Sequence, residues 1–174
     1  MGYKLRYFIL FLVVTASSVC AFPPFHASRC AYSNTIAAEL KKMKDFTTLL
    51  TLAKIANLTS TLENPYLAVT LFAPTNEGIA STLKALNIPE SAVVQNSALV
   101  KKIIEYHILP EPLVTSEFSD FNTYKTLEGS DVTVTRTSTG IFVNGVEIIK
   151  KNIMAGESII QVIDGLLIPP NIVV

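Results

Sequence analysis

The chain has 174 residues, of which 49% are apolar and 16% charged, and its 14 basic and 14 acidic side chains cancel. That length suits one domain with a sizeable core. The neutral balance excludes nucleic acid as the main partner, because phosphate binding needs a concentrated basic footprint, and the apolar content excludes a disordered chain.

Lys4 and Arg6 precede Phe8 to Ala16, which is apolar at eight of nine positions, and Ser17, Ser18 and the small-x-small run Val19-Cys20-Ala21 follow. A bilayer core of about 30 Å needs roughly 20 apolar residues, so this run is too short to span it. The pattern predicts a secretory signal peptide over residues 1–21, cut after Ala21, with an uncleaved anchor as the other reading. Cleavage leaves 153 residues, a net charge of −2, one cysteine and no transmembrane segment. That cysteine, Cys30, is either an inert thiol or the means to an intermolecular disulfide and so an oligomer. Residues 22–32, with Pro23-Pro24, read as an N-terminal arm, and the domain is expected over residues 33–171.

Ser33 or Asn34 is expected to cap a first helix running through Glu39 to Met43. Phe46, Leu49, Leu50, Ala53 and Ala56 recur at helical spacing, which predicts a second helix capped by Asp45 and broken by Pro65. Asn57-Leu58-Thr59 is a glycosylation sequon at its end. Leu67 to Ala73 reads as a buried strand stopped by Pro74. Thr75 or Asn76 caps a helix through Leu86, and Ser97 to Tyr106 places Leu99, Val100, Ile103 and Ile104 on one stripe of another. His107 to Leu109 leaves that helix extended. After about Leu113 the chain is β-rich. Val132 to Thr135 and Ile141 to Val143 alternate around Gly140, and Asn144-Gly145 is a hairpin turn whose two residues need positive φ. Val146 to Ile149, Ile153 to Met154 and Ser158 to Asp164 follow as strand, and Gly165 turns the last into Leu166 to Ile168. Helices first and strands later predict an α+β fold.

Catalytic chemistry is thinly supplied. After cleavage the chain keeps only His26 and His107, and it has no G-x-S-x-G, H-E-x-x-H or phosphate-cradling glycine loop. There is no CxxC and no calcium-loop pattern, so no catalytic residue, metal or cofactor is assigned. Cys30 as a thiol nucleophile would need His107 beside it. Lys41-Lys42-Lys44 and Lys150-Lys151 are small basic runs that suit either acidic polysaccharide or plain solvent.

Four segments in order resemble the fasciclin domain. Thr70-Leu71-Phe72-Ala73-Pro74-Thr75-Asn76-Glu77 resembles its first signature, T-x-F-A-P-T-[DN]-x-A-F. Tyr106-His107-Ile108-Leu109 resembles its Tyr-His segment, and Asn144-Gly145-Val146 a recurrent N-G segment. Ile159 to Pro169 resembles its second signature, V-I-D-x-V-L-x-P, through Ile163, Asp164, Gly165, Leu167 and Pro169. The match spans Thr35 to Pro170.

Each signature also has a structural reason: Phe72 for core, Pro74 to end a strand, Thr75 or Asn76 to satisfy free helix amides, and Asp164-Gly165 for a turn. The resemblance implies an α+β module, a β-sandwich or wedge flanked by helices. It also implies an extracellular role in adhesion or matrix attachment, with a cell-surface receptor, a matrix protein or a polysaccharide as partner. It further implies binding residues at Tyr106 and His107, and at Ile153 and Met154, which match the last two positions of an animal adhesion motif E-P-D-I-M. Lys150 and Asn152 stand where that motif has its acids. Gly78 and Ile79 replace Ala-Phe after the first signature, Gln161 replaces a common His, and there is no Arg-Gly-Asp. Two other readings are a carbohydrate-binding wall or matrix component using Lys150, Lys151 and the Lys41 cluster, and an enzyme using Tyr106 and His107 as acid–base groups.

Overall fold

The computed structural model describes residues 34–171. The expected signal peptide and arm, with His26, Cys20 and Cys30, lie outside the described residues. The helices α1 (Ile36–Lys42), α2 (Thr47–Ile55) and α3 (Thr59–Leu62) come first, and strand β1 (Thr70–Pro74) leads into α4 (Asn76–Ala85), α5 (Glu90–Gln95) and α6 (Ser97–Tyr106). The remaining strands are β2 (Ile108–Leu109), β3 (Phe121–Lys125), β4 (Asp131–Arg136), β5 (Ile141–Val143), β6 (Val146–Ala155) and β7 (Ser158–Ile163). No helix among the described residues is long and apolar enough to cross a membrane.

One seven-stranded sheet runs in the order β2-β1-β7-β6-β5-β4-β3. Its neighbours are antiparallel except for β1 and β7, which run parallel with Pro74 opposite Ile163. The sheet curls until its two ends meet: the Leu127 N–H, just past β3, donates to the Ile108 carbonyl of β2 at 2.9 Å. The curl has a local cause in β6, where the register against β7 shifts between Ile148 and Lys150 and again between Lys150 and Ile153. Each shift inserts an unpaired residue, and such bulges bend and twist a strand. The expected α+β wedge flanked by helices thus takes the form of one nearly closed seven-stranded sheet, with β6 belonging to both halves.

Strand alternation divides the interior in two. Leu71 and Ala73 of β1, with Ile160 and Val162 of β7, face a core shared with α1, α2, α4 and α6. Phe72 and Ile163 face the hollow of the curled sheet, among Leu109, Phe118, Val132 and Val134. This is why all six residues of β7 are buried: the strand is covered on both faces.

Several local expectations are corrected. Thr35, rather than Ser33 or Asn34, caps α1, accepting from the Ala38 N–H at 3.2 Å. Asp45 does not cap α2; it lies in a 3-10 turn, Lys44–Phe46, with no capping bond from its side chain. The α2 start is served instead from a distance, because the Thr48 N–H donates to Asn76 Oδ1 at 3.0 Å and Asn76 Nδ2 donates to Thr47 Oγ1 at 3.0 Å. Thr75 alone caps α4, through the Gly78 N–H at 3.0 Å. Pro65 does not end the second helix: α2 stops at Ile55, Asn57 turns the chain at φ +57°, and α3 intervenes before the proline. The β1 ladder begins at Thr70, not Leu67, and includes Pro74. Ahead of it the Val69 N–H donates to Ser158 Oγ, and that hydroxyl donates to the Leu67 carbonyl.

Candidate functional site: a buried Tyr-His clasp beside an exposed bulged strand

The stripe of Val100, Ile103 and Ile104 fixes α6 against the first core. Its C-terminus thereby delivers Tyr106 and His107 to the interior, where they are only 2% and 1% exposed. The Tyr106 hydroxyl donates to the Asp131 carbonyl at 3.0 Å and accepts from Asn144 Nδ2 at 2.8 Å. Asn144 and Gly145 hold φ of +48° and +83° in the β5–β6 turn, as a hairpin of this length requires. Asn144 Oδ1 accepts from the Thr133 N–H at 2.8 Å. The Tyr-His segment and the N-G segment are thus one hydrogen-bonded unit.

His107 joins a different pair of elements. The Leu167 N–H donates to Nε2 at 3.0 Å, so Nε2 carries the lone pair and Nδ1 carries the proton. That proton goes to the Ile103 carbonyl at 2.7 Å. Burial strips the ring of water and lowers its pKa from 6.5 to about 4, against a smaller upward effect from the Ile103 carbonyl. Burial likewise pushes the Tyr106 phenol above its usual 10, with the Asn144 bond pulling the other way. Both ring nitrogens of His107 are taken by main-chain groups. A proton shuttle needs at least one nitrogen open to a substrate.

The two long signatures also meet. The Thr75 N–H donates to the Ile163 carbonyl at 3.2 Å, and the Leu166 N–H donates to Thr82 Oγ1 at 3.1 Å. Between these bonds Gly78 lies flat on the Asp164-Gly165 turn: a Cβ there would stand 2.8 Å from Asp164 C and from Gly165 N. The Gly that departs from the family signature is thus required by close backbone contact. Gly78→Ala should destabilise the domain by about 1–3 kcal/mol through overpacking, despite a helix-propensity gain of about 1 kcal/mol. Urea unfolding checks this, and a variant more stable than the parent would show that the turn yields freely.

Ile153 and Met154 lie elsewhere. They pair with Ile160 and Ile159 of β7, and as neighbours on a strand they face opposite ways. Ile153 packs on the first core, whereas Met154 is 58% exposed. Among the described residues no hydrogen bond or ring contact joins this pair to Tyr106 or His107. Lys150 and Lys151 are exposed beside them. Lys150 Nζ stands 3.9 Å from Asp45 Oδ2, and among the described residues Lys151 forms no ion pair. A cavity of about 350 Å³ adjoins this stretch, lined by Asp45, Thr75, Asn76, Glu77, Ile149 and Asp164. Among the described residues no group of three His, Cys, Asp or Glu is placed to hold a metal ion.

Asn152, at φ +57° on the bulge, is committed internally. Its Oδ1 accepts from the Thr115 N–H at 2.8 Å and from Gln161 Nε2 at 2.9 Å, and its Nδ2 donates to Thr115 Oγ1 at 2.9 Å. Gln161 in turn accepts from the Asn152 N–H at 2.8 Å and donates to the Leu113 carbonyl at 3.2 Å. Thr70 Oγ1 holds the same loop, donating to Glu111 O and accepting from the Leu113 N–H, both at 2.7 Å. This network fastens residues 111–115 to the back of the bulged strand and leaves little trace in the local sequence. The one available signal was the pair of polar residues, Thr70 and Gln161, inside otherwise apolar strands.

The fasciclin domain profile matches residues 44–169. Periostin from Homo sapiens is 32% identical over 138 residues, covering 76% of this chain and 16% of periostin. The Synechocystis protein sll1483 is 30% identical over 131 residues, covering 72% of this chain and 68% of that protein. Among solved structures, a FAS1 domain pair from the insect cell adhesion molecule Fasciclin I aligns with a TM-score of 0.60 at 18% identity, covering 78% of this chain and 51% of that one. The chain therefore spans under a fifth of periostin and about two thirds of the cyanobacterial relative. With the profile covering most of the chain and the α+β architecture agreeing, the chain belongs to the fasciclin domain family.

Proposed function

We propose that the chain is a secreted, non-catalytic module that attaches to a cell-surface receptor or matrix protein through the outer side of β6. The observation that carries this reading is Met154. It is a large apolar side chain exposed on a bulged strand whose neighbours are pinned from behind by Asn152 and Gln161. A rigid backbone presenting an apolar anchor next to the half-buried Ile153 is suited to a protein partner, since anchors on ordered elements lose little entropy on binding. Family relatives named for adhesion support the direction. Tyr106 and His107 then act as positioning residues, through the Asn144 turn and the Leu167 segment.

A polysaccharide partner is the second reading, favoured by Lys151, which has no acidic neighbour within ion-pair distance among the described residues. The Lys41 cluster contributes less, because Lys41 pairs with Glu63 at 3.0 Å and Lys42 with Glu39 at 2.7 Å. Solid-phase binding of the full chain to matrix and cell-wall preparations tests both. Met154→Asp should lower retention at least tenfold on a protein partner, and Lys150→Glu/Lys151→Glu should do so on an acidic polysaccharide, with raised salt weakening only the latter. Retention unchanged in both variants would remove β6 as the attachment surface.

A further inference from the structure

We propose that Asn57 is a site of N-linked glycosylation, an inference that rests on the extracellular reading above. Asn57-Leu58-Thr59 is the single Asn-x-Ser/Thr sequence with a non-proline middle residue in all 174 positions, and the fold treats Asn57 as such a site needs. α2 stops at Ile55, and α3 restarts at Thr59. The two-helix corner between them is closed by backbone bonds, from the Asn57 N–H to the Lys54 carbonyl at 3.1 Å and from the Leu58 N–H to the Ala53 carbonyl at 2.9 Å. The corner therefore needs nothing from the Asn57 side chain.

That side chain is exposed and makes no hydrogen bond among the described residues. Asparagine occupies φ +57° with less strain than most residues, so the left-handed turn accounts for an Asn here but not for a Thr two residues on. Leu58 and Thr59 are half-buried, and Thr59 lines a cavity of about 230 Å³ between α1, α2 and α3, with Ala37, Leu50, Ala53 and Leu62. A sugar on Asn57 Nδ2 would therefore project from the corner without displacing any core residue. A bulky solubilising group on an exposed loop is the setting in which this modification is tolerated.

The step is a group transfer from a lipid-pyrophosphate-linked oligosaccharide, supplied with its transferase by the secretory pathway. The Asn57 amide nitrogen forms a bond to the anomeric carbon of the first sugar. The bond from that carbon to the pyrophosphate oxygen breaks, and the lipid pyrophosphate leaves with the electron pair. The amide proton is lost to a base on the transferase.

The full chain is made in a cultured eukaryotic secretory cell line, and medium and cells are analysed separately by intact mass with and without an amidase that cleaves the Asn–sugar bond. The expected result is a heavier secreted chain whose mass collapses on digestion, with Asp at position 57 in the peptide map. Thr59→Ser should retain the glycan and Thr59→Ala should lose it. Thr59→Ala is the informative variant because it keeps Asn57 in its turn, whereas Asn57→Gln would also strain the corner. Chain found in the medium with an unmodified Asn57 overturns this proposal and leaves the extracellular reading standing. Chain retained in the cell but glycosylated supports the site and overturns secretion, and chain retained without sugar overturns both.

Discussion

Replacing Phe72 by Ala should destabilise the domain by about 3–5 kcal/mol and lower its melting temperature by roughly 10 °C or more. Phe72 has no exposed surface. It sits on β1, held on one side by β2 and on the other by β7, so the strand cannot shift to fill the space. Its ring stands 6.3 Å from that of Phe118 at an interplanar angle of 29°, and Phe118 meets Tyr124 edge-on at 5.4 Å. Truncation removes the inner member of this aromatic row and leaves a cavity enclosed by the curled sheet. Phe121→Ala is the matched control, since Phe121 is 73% exposed and its loss should change stability by no more than about 0.5 kcal/mol. Differential scanning calorimetry on both variants checks the pair. Equal melting temperatures for Phe72→Ala and the parent would show that β1 does not carry the second core.

What could be read from the sequence follows the range of the interactions that set each feature. α6 is legible from Ser97 to Tyr106 because its apolar stripe is a property of consecutive residues. The Asn144-Gly145 turn was legible because positive φ is a local demand. Burial of the Tyr-His segment was signalled by Ile103, Ile104, Ile108 and Leu109 around it. Its partners were not, because Asn144 and Leu167 lie 38 and 60 residues further along the chain.

The same limit explains Asn76, whose side chain serves a helix start 28 residues earlier rather than its own. α5, with six residues, and α3, with four, are too short to show a period. β3 carries mostly exposed residues, so it lacks the apolar alternation that marks a half-buried strand. The bulges of β6 are relations between two strands and leave no mark on one. The candidate surface was legible as a motif position, Ile153-Met154, but its division into one inward and one outward side chain came only with the register against β7.

Acid should loosen this domain in a defined window, and His107 gives the window its limits. In the unfolded chain the imidazole titrates near 6.5, whereas in the native interior it titrates near 4. Above pH 6.5 both states hold a neutral ring, and the His107 contribution is complete and independent of pH. Between pH 6.5 and pH 4 the unfolded chain binds a proton that the native chain refuses. Stability therefore falls as pH falls, with a slope approaching 1.4 kcal/mol per pH unit and a total of about 3 kcal/mol. Below pH 4 both states are protonated, and this group adds no further slope. A native ring forced to protonate at Nε2 would turn a proton toward the Leu167 N–H, replacing an attraction with a clash of two donors at 3.0 Å.

The first consequence is release of the Leu166-Leu167 segment from the C-terminus of α6. Urea unfolding at half-unit steps from pH 7.5 to 4 should show the slope in the parent and its loss in His107→Gln, which starts less stable but has no proton to gain. Should that variant not fold, the ring resonances of His107 in the parent give the same answer. An imidazole titrating near 6.5 in the folded chain, or an acid slope identical in His107→Gln, would mean that the ring is not sealed between Ile103 and Leu167.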